Sequence, residues 1–239
     1  PVRLSRPVRL PEQEERPIVT ALLHYQCALL LRSHRWMAPL LLYGAFLVIG
    51  VQYGQPLLDS LGYAAAALLP VAAWLTRVCT TNEPDAARDC ASAAAGPVRV
   101  HLASLLTALF AAVLLGVVVT VLVTAVSDPY SADHRTAVPV LPAAFAGFLA
   151  ALVCSLIGTA VGALCNRPLL VSPARAIPAT TLAALVVLVV SGSPAQAAVS
   201  GLVTGSQSGT VALPLLPLAA ALVLAAGACA AACRVSARR

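Results

Sequence analysis

Residues 100–126 read VHLASLLTALFAAVLLGVVVTVLVTAV. The run holds no Asp, Glu, Lys or Arg, and it exceeds the roughly 20 apolar residues that a helix needs to cross a bilayer. Similar blocks lie on either side, so the chain reads as an all-α integral membrane protein. Spans are expected at about 36–55, 60–76, 100–126, 138–163, 176–192 and 211–233, six in all. Composition agrees: 60% of the residues are hydrophobic, 10% are charged, and mean hydropathy is +0.90. Soluble domains carry about 25% charged residues, so this chain lacks the polar surface to cover a water-soluble globule.

All 15 basic residues are Arg, which together with abundant Ala suggests the codon bias of a GC-rich, bacterial genome. Arg residues gather beside the ends of the apolar blocks. Cytoplasmic loops carry the excess of basic residues in membrane proteins. Placing both termini inside puts every Arg except Arg135 on the cytoplasmic side, and five or seven spans would spoil that alternation. The expected topology is therefore N-in/C-in, in the bacterial cell membrane. The net charge of +6 points to this topology and not to nucleic acid, because no basic helix or aromatic-interleaved patch is present.

The cysteines fit the same arrangement. Cys27, Cys79, Cys90, Cys165, Cys229 and Cys233 fall near cytoplasmic ends and Cys154 inside a span. None lies in an outer loop, where an oxidising compartment would favour pairing. Cys229 and Cys233 have helical spacing, but no His or carboxylate accompanies them, so packing is the better account and no metal is expected.

No span has a charge in its interior. Such charges mark proton relays and ion paths. Catalytic motifs are also missing: there is no HExxH, no GxSxG, and no GxxxxGK[ST] in a chain without Lys. The protein is not expected to be an enzyme, and energy for uphill movement would come from another subunit. In the outer loop 127–137, Asp128, Asp133 and His134 have the spacing of a weak cation site, though a solvated turn explains them as well.

Residues 18–35, IVTALLHYQCALLLRSHR, precede the first span. Arg32, Ser33, His34 and Arg35 separate the two, so a helix lying in the interface is expected, with Trp36 at headgroup level. Residues 1–17 read as a flexible cytoplasmic tail and 234–239 as another. Between the second and third spans, residues 77–99 read RVCTTNEPDAARDCASAAAGPVR. Thr80, Thr81 and Asn82 are candidate N-caps, Pro84 and the acids suit a first turn, and Gly96-Pro97 is a stop. The expected helix, about 80–95, carries Glu83, Asp85, Arg88 and Asp89 on its face. Residues 191–217 are uncharged, too polar to span and too apolar for an ordinary loop. Short helices near 194–203 and 208–214 that re-enter the outer leaflet would satisfy them.

This combination resembles the membrane subunit of an ATP-binding-cassette exporter, the ABC type 2 permease family. The features that carry the likeness are the elbow helix at 18–35, the charged helical loop at 80–95, Ser193-Pro194 opening an outer segment, and six spans with both ends inside. It covers roughly residues 18–233 and rests on architecture. The resemblance implies that a separate cytoplasmic ATPase subunit, which binds ATP and Mg, contacts a coupling helix at Glu83, Pro84, Asp85, Arg88 and Asp89. Arg32, His34, Arg35 and Trp36 would form the neighbouring elbow, and Ser193 and Pro194 the outer re-entrant segment. A second permease copy, or a related permease, would complete the path, with no cofactor in this chain.

Aromatic residues are scarce in spans three to six apart from Phe110, Phe145 and Phe148. The expected cargo is accordingly a small amphiphilic or lipid-like compound, a natural product or drug, and not a sugar polymer. A membrane anchor for a cytoplasmic partner, or an ATP-independent facilitator, are the alternative readings. Gly158 and Gly162 form a GxxxG, a pattern common by chance in Ala/Gly-rich spans.

Overall fold

The computed structural model describes residues 15–167 and 172–238. Nine α-helices are found among the described residues, and no β-strand. They are α1 (Glu15–Arg32), α2 (Met37–Gly50), α3 (Leu57–Thr81), α4 (Asp85–Ala95), α5 (Pro97–Val126), α6 (Val140–Cys165), α7 (Pro173–Val189), α8 (Pro194–Ser208) and α9 (Leu215–Ala237). Four of these, α3, α5, α6 and α9, are each long and apolar enough to cross a membrane; α7 and α8 together make a fifth candidate, bent by 47° at the break between them. The chain is thus a multi-pass helical membrane protein with four to five candidate spans.

The bundle is organised around α3. It packs against α2, α5, α6, α7 and α8, and α6 is its most extensive neighbour. The reason lies in side-chain size. A Cβ placed on Gly162 would come within 2.6 Å of the Thr76 Cβ and 2.8 Å of the Ala73 carbonyl oxygen, and one on Gly147 within 2.8 Å of Leu61. Gly158 meets the Leu69 carbonyl in the same way. The GxxxG is therefore a seam where backbones approach closely, the kind of contact that holds helices together in lipid. Hydroxyls inside the bundle turn back on their own helices. Ser155 donates to Ala151, Thr159 to Ser155 and Thr120 to Gly116, so no partner from another helix is needed.

The exterior is apolar. Phe110, Leu114, Val118, Val121 and Leu122 stand exposed along α5, and Leu215, Leu216, Leu222 and Val223 along α9. Contiguous exposed apolar surface on this scale belongs against lipid or another membrane helix.

Several boundaries differ from the sequence reading. The 36–55 span shortens to a helix of 14 residues, about 21 Å long at 1.5 Å per residue. Val51 adopts extended backbone and Gly54 has a positive φ of 80°, so residues 51–55 run on as a non-helical connection. The pair of short helices expected at 194–203 and 208–214 is instead the single helix α8, stopped by Gly209 in the left-handed region at φ 69°. Residues 210–214 follow without regular structure. The tail expected at 234–239 is helical through Ala237, with Arg234 in the last turn, where a cation suits the helix dipole. Helix α1 begins at Glu15, and the rest of the expected N-terminal tail lies outside the described residues.

The two ends of the bundle differ in charge. At one end meet the last turns of α1, α3, α6 and α9 and the first turns of α5 and α7, bringing Arg35, Arg77, Arg88 and Arg167 among mutual neighbours. At the other end the Asp128 amide donates to the Gln55 carbonyl, the Leu57 amide to Asp128, and the Ala132 amide to Ser206 at the end of α8. Arg135 is in this second group of loops.

Candidate partner-docking site at the arginine-rich end

Helix α4 has no buried residue, so it lies on the outside of the bundle. It spans Asp85–Ala95, beginning five residues later than the expected 80–95 and ending at the same position. Thr80 and Thr81 do not cap it. Their hydroxyls donate to the carbonyls of Thr76 and Arg77, which keeps them in the last turn of α3. Back-bonding of this kind competes with capping. Pro84 opens α4, Asp85 supplies the favourable negative charge of its first turn, and Gly96 at φ 89° closes it.

The exposed helix is tied down by its charged residues. Arg88 donates to the Thr80 carbonyl at 3.2 Å, and Arg35, from the link after α1, donates to the Thr81 carbonyl at 3.2 Å. Two cations thus satisfy the orphan carbonyls at the C-terminus of α3, where the helix dipole also favours positive charge. Asn82 adds a bond to the Leu29 carbonyl of α1 at 3.1 Å. Asp85 pairs with Arg167 after α6 at 2.6 Å, and this bond holds the Asp85 carboxyl below the usual carboxylate range.

Arg88 also donates to His101 Nδ1 at 3.2 Å. A guanidinium cannot accept, so Nδ1 is the acceptor and the ring proton sits on Nε2. The His101 side chain is wholly buried and Nε2 has no partner among the described residues. Helix α4 thus encloses His101 through Arg88. Glu83 differs from expectation. It precedes α4, is 5% exposed, and accepts from Gln26 Nε2 of α1 at 3.3 Å, so it is turned away from the outer face of α4. Tyr25 also bonds to Glu83; burial first, and then this carboxylate, raise the tyrosine pKa.

On the outward face Pro84, Asp85, Asp89 and Cys90 are exposed. Arg32, the last residue of α1, and His34, two positions after it, are exposed as well. His34 takes the left-handed region at φ 54°, its ring bonding the Arg32 carbonyl, and Ser33 caps Leu30; these ends make α1 and α2 separate helices. Trp36 is half-buried and donates to the Leu31 carbonyl at 3.4 Å. Ser193 and Pro194 lie elsewhere, at the α7–α8 break, where Ser193 caps α8 by accepting from the Gln196 amide.

The sequence reading missed Gln26 and Asn166, both buried and both bonded across the fold. The available signal was a lone amide within an apolar helix and another at the end of a span. Asp128, Asp133 and His134 make no metal site: Asp133 accepts from the Ser131 hydroxyl and the Arg135 amide of its own turn, and no cluster able to hold a metal occurs among the described residues. Comparison of the chain with family models, with curated proteins and with solved structures finds no match.

Proposed function

We propose that the chain is the permease subunit of an ABC exporter of the ABC type 2 kind. In this reading it crosses the bacterial cell membrane six times, with α2 as a short first span, and keeps both termini inside. Helix α1 lies in the interface, and the α7–α8 break with residues 209–214 forms the outer re-entrant segment. The observation that carries the reading is α4: a charged helix with no buried residue, tied across the arginine-rich end by Arg88, Asp85 and the turn at Glu83. A helix that only filled a loop would need no such tethering, whereas a lever gripped by a cytoplasmic ATPase must transmit force into α3 and α5. Arg88 joins those two helices directly through Thr80 and His101.

ATP binding by the partner would draw the α4 helices of two permease copies together. Packed helices would then shift between inward- and outward-open arrangements. The cargo is a small amphiphilic or lipid-like compound. The test is co-purification with a Walker-bearing ATPase encoded beside this chain, with hydrolysis measured in nanodiscs. A stoichiometric complex that is lost on Asp89→Arg, on the exposed face of α4, supports the reading. A chain that purifies alone, without nucleotide dependence, replaces it with the membrane-anchor or facilitator reading.

A further inference from the structure

A cavity of about 310 Å³ opens between α2, α3 and α7. Its walls include Phe46, Trp74, Ile177 and Leu185, and Arg77 and Thr181 also line it. The Arg77 guanidinium is half-buried, and its hydrogen bond is to the neutral Asn166 Oδ1 at 2.7 Å. Among the described residues no carboxylate lies within ion-pair distance of it; Asp85 is committed to Arg167, and Glu83 to Gln26. Arg35 adds a second positive charge at the same end of α3, through its bond to Thr81. Trp74, one turn before Arg77, makes no hydrogen bond among the described residues and is 38% exposed. An apolar slot with an uncompensated cation at its Arg-rich end is the inverse of one molecule class: an acyl chain carrying a negative headgroup. A half-buried cation without a counter-charge is costly, and basic pockets between membrane helices on the cytoplasmic side recruit anionic headgroups.

The geometry points to this groove as a binding site for an anionic glycerophospholipid of the surrounding leaflet, its phosphate on Arg77 and an acyl chain along Phe46, Trp74, Ile177 and Leu185. This lipid is a resident of the site. Its binding requires only that the chain lie in a membrane, with no dependence on an ATPase partner or on transport.

The test is native mass spectrometry of the full chain released from nanodiscs containing equal phosphatidylglycerol and phosphatidylcholine. The wild type should retain a phosphatidylglycerol adduct in preference to phosphatidylcholine, and Arg77→Gln should reduce that preference by about fivefold. Arg77 also supports Asn166, so Thr181→Phe provides the second variant: it fills the slot with the charge intact and should displace the lipid while the melting temperature is kept. Equal retention of the two lipids by the wild type overturns the proposal, as does undiminished phosphatidylglycerol on Thr181→Phe. So does a groove found occluded by a second copy of the chain in cross-linked dimers.

Discussion

The side-chain amide of Gln26 donates to the Glu83 carboxylate at 3.3 Å, joining α1 to the turn between α3 and α4 inside the protein. The other carboxylate oxygen, Oε1, is buried without a partner. Such a group is expensive to strand and inexpensive to remove together with its partner. Gln26→Leu should therefore lower stability by about 1–3 kcal/mol. Combining it with Glu83→Leu should recover most of that loss. Thermal unfolding in detergent measures both, and strictly additive losses would contradict the role assigned to the pair.

The Asp85–Arg167 pair predicts a pH response. Asp85 is held below its ordinary value of 3.8 by Arg167, so the folded state favours the ionised carboxylate. Its contribution is fully present above that ordinary value and is lost as pH falls through the lowered one. The pair is exposed, so the effect is local and falls with added salt. The protection of the α4 amides against hydrogen exchange, taken relative to the intrinsic rate at each pH, should fall across this acid window in the wild type. Arg167→Gln should show lower protection already at neutral pH, and that protection should change less on acidification.

Glycines predict a sharp contrast along the bundle. Gly162→Leu would drive a side chain into Thr76 and the Ala73 carbonyl, whereas nothing lies within 4 Å of a Cβ on Gly227. Overpacking costs about 1–3 kcal/mol and more where backbone must move. Gly162→Leu should lower the melting temperature in detergent, and Gly227→Leu should leave it unchanged or raise it. Similar losses at both positions would remove the α3–α6 seam as the explanation.

Cysteine accessibility tests the orientation. Cys90 is exposed on α4, and Cys79 and Cys154 are buried. In inverted vesicles a membrane-impermeant maleimide should label Cys90 and spare those two. In right-side-out vesicles a single Arg135→Cys, made in a chain lacking Cys90, should be labelled instead. Labelling of Cys90 from the outside reverses the proposed topology.

Much of this arrangement is legible in the amino-acid order because lipid is a demanding solvent. The uncharged run 100–126 has no stable home in water, and it appears as α5 with a shift of three residues at its start. Gly96 and Pro97, whose conformational limits are local, end α4 and start α5 as expected. Boundaries set by competition were harder to read. Thr80 and Thr81 suit an N-cap as well as a helix interior, and packing of α3 against α6 carries α3 onward through them.

What the sequence determined alone is the solvent, the helical class and the segregation of Arg to the ends of apolar blocks. These follow from composition and from periodicities within single segments. Tertiary structure alone decided that Glu83 faces Gln26 across 57 positions, that Arg88 reaches both Thr80 and His101, and that Gly158 and Gly162 press on α3. Each of those facts pairs residues distant along the chain. A local pattern specifies which side chains a helix offers, but the partner that buries or satisfies them is chosen only when the helices pack.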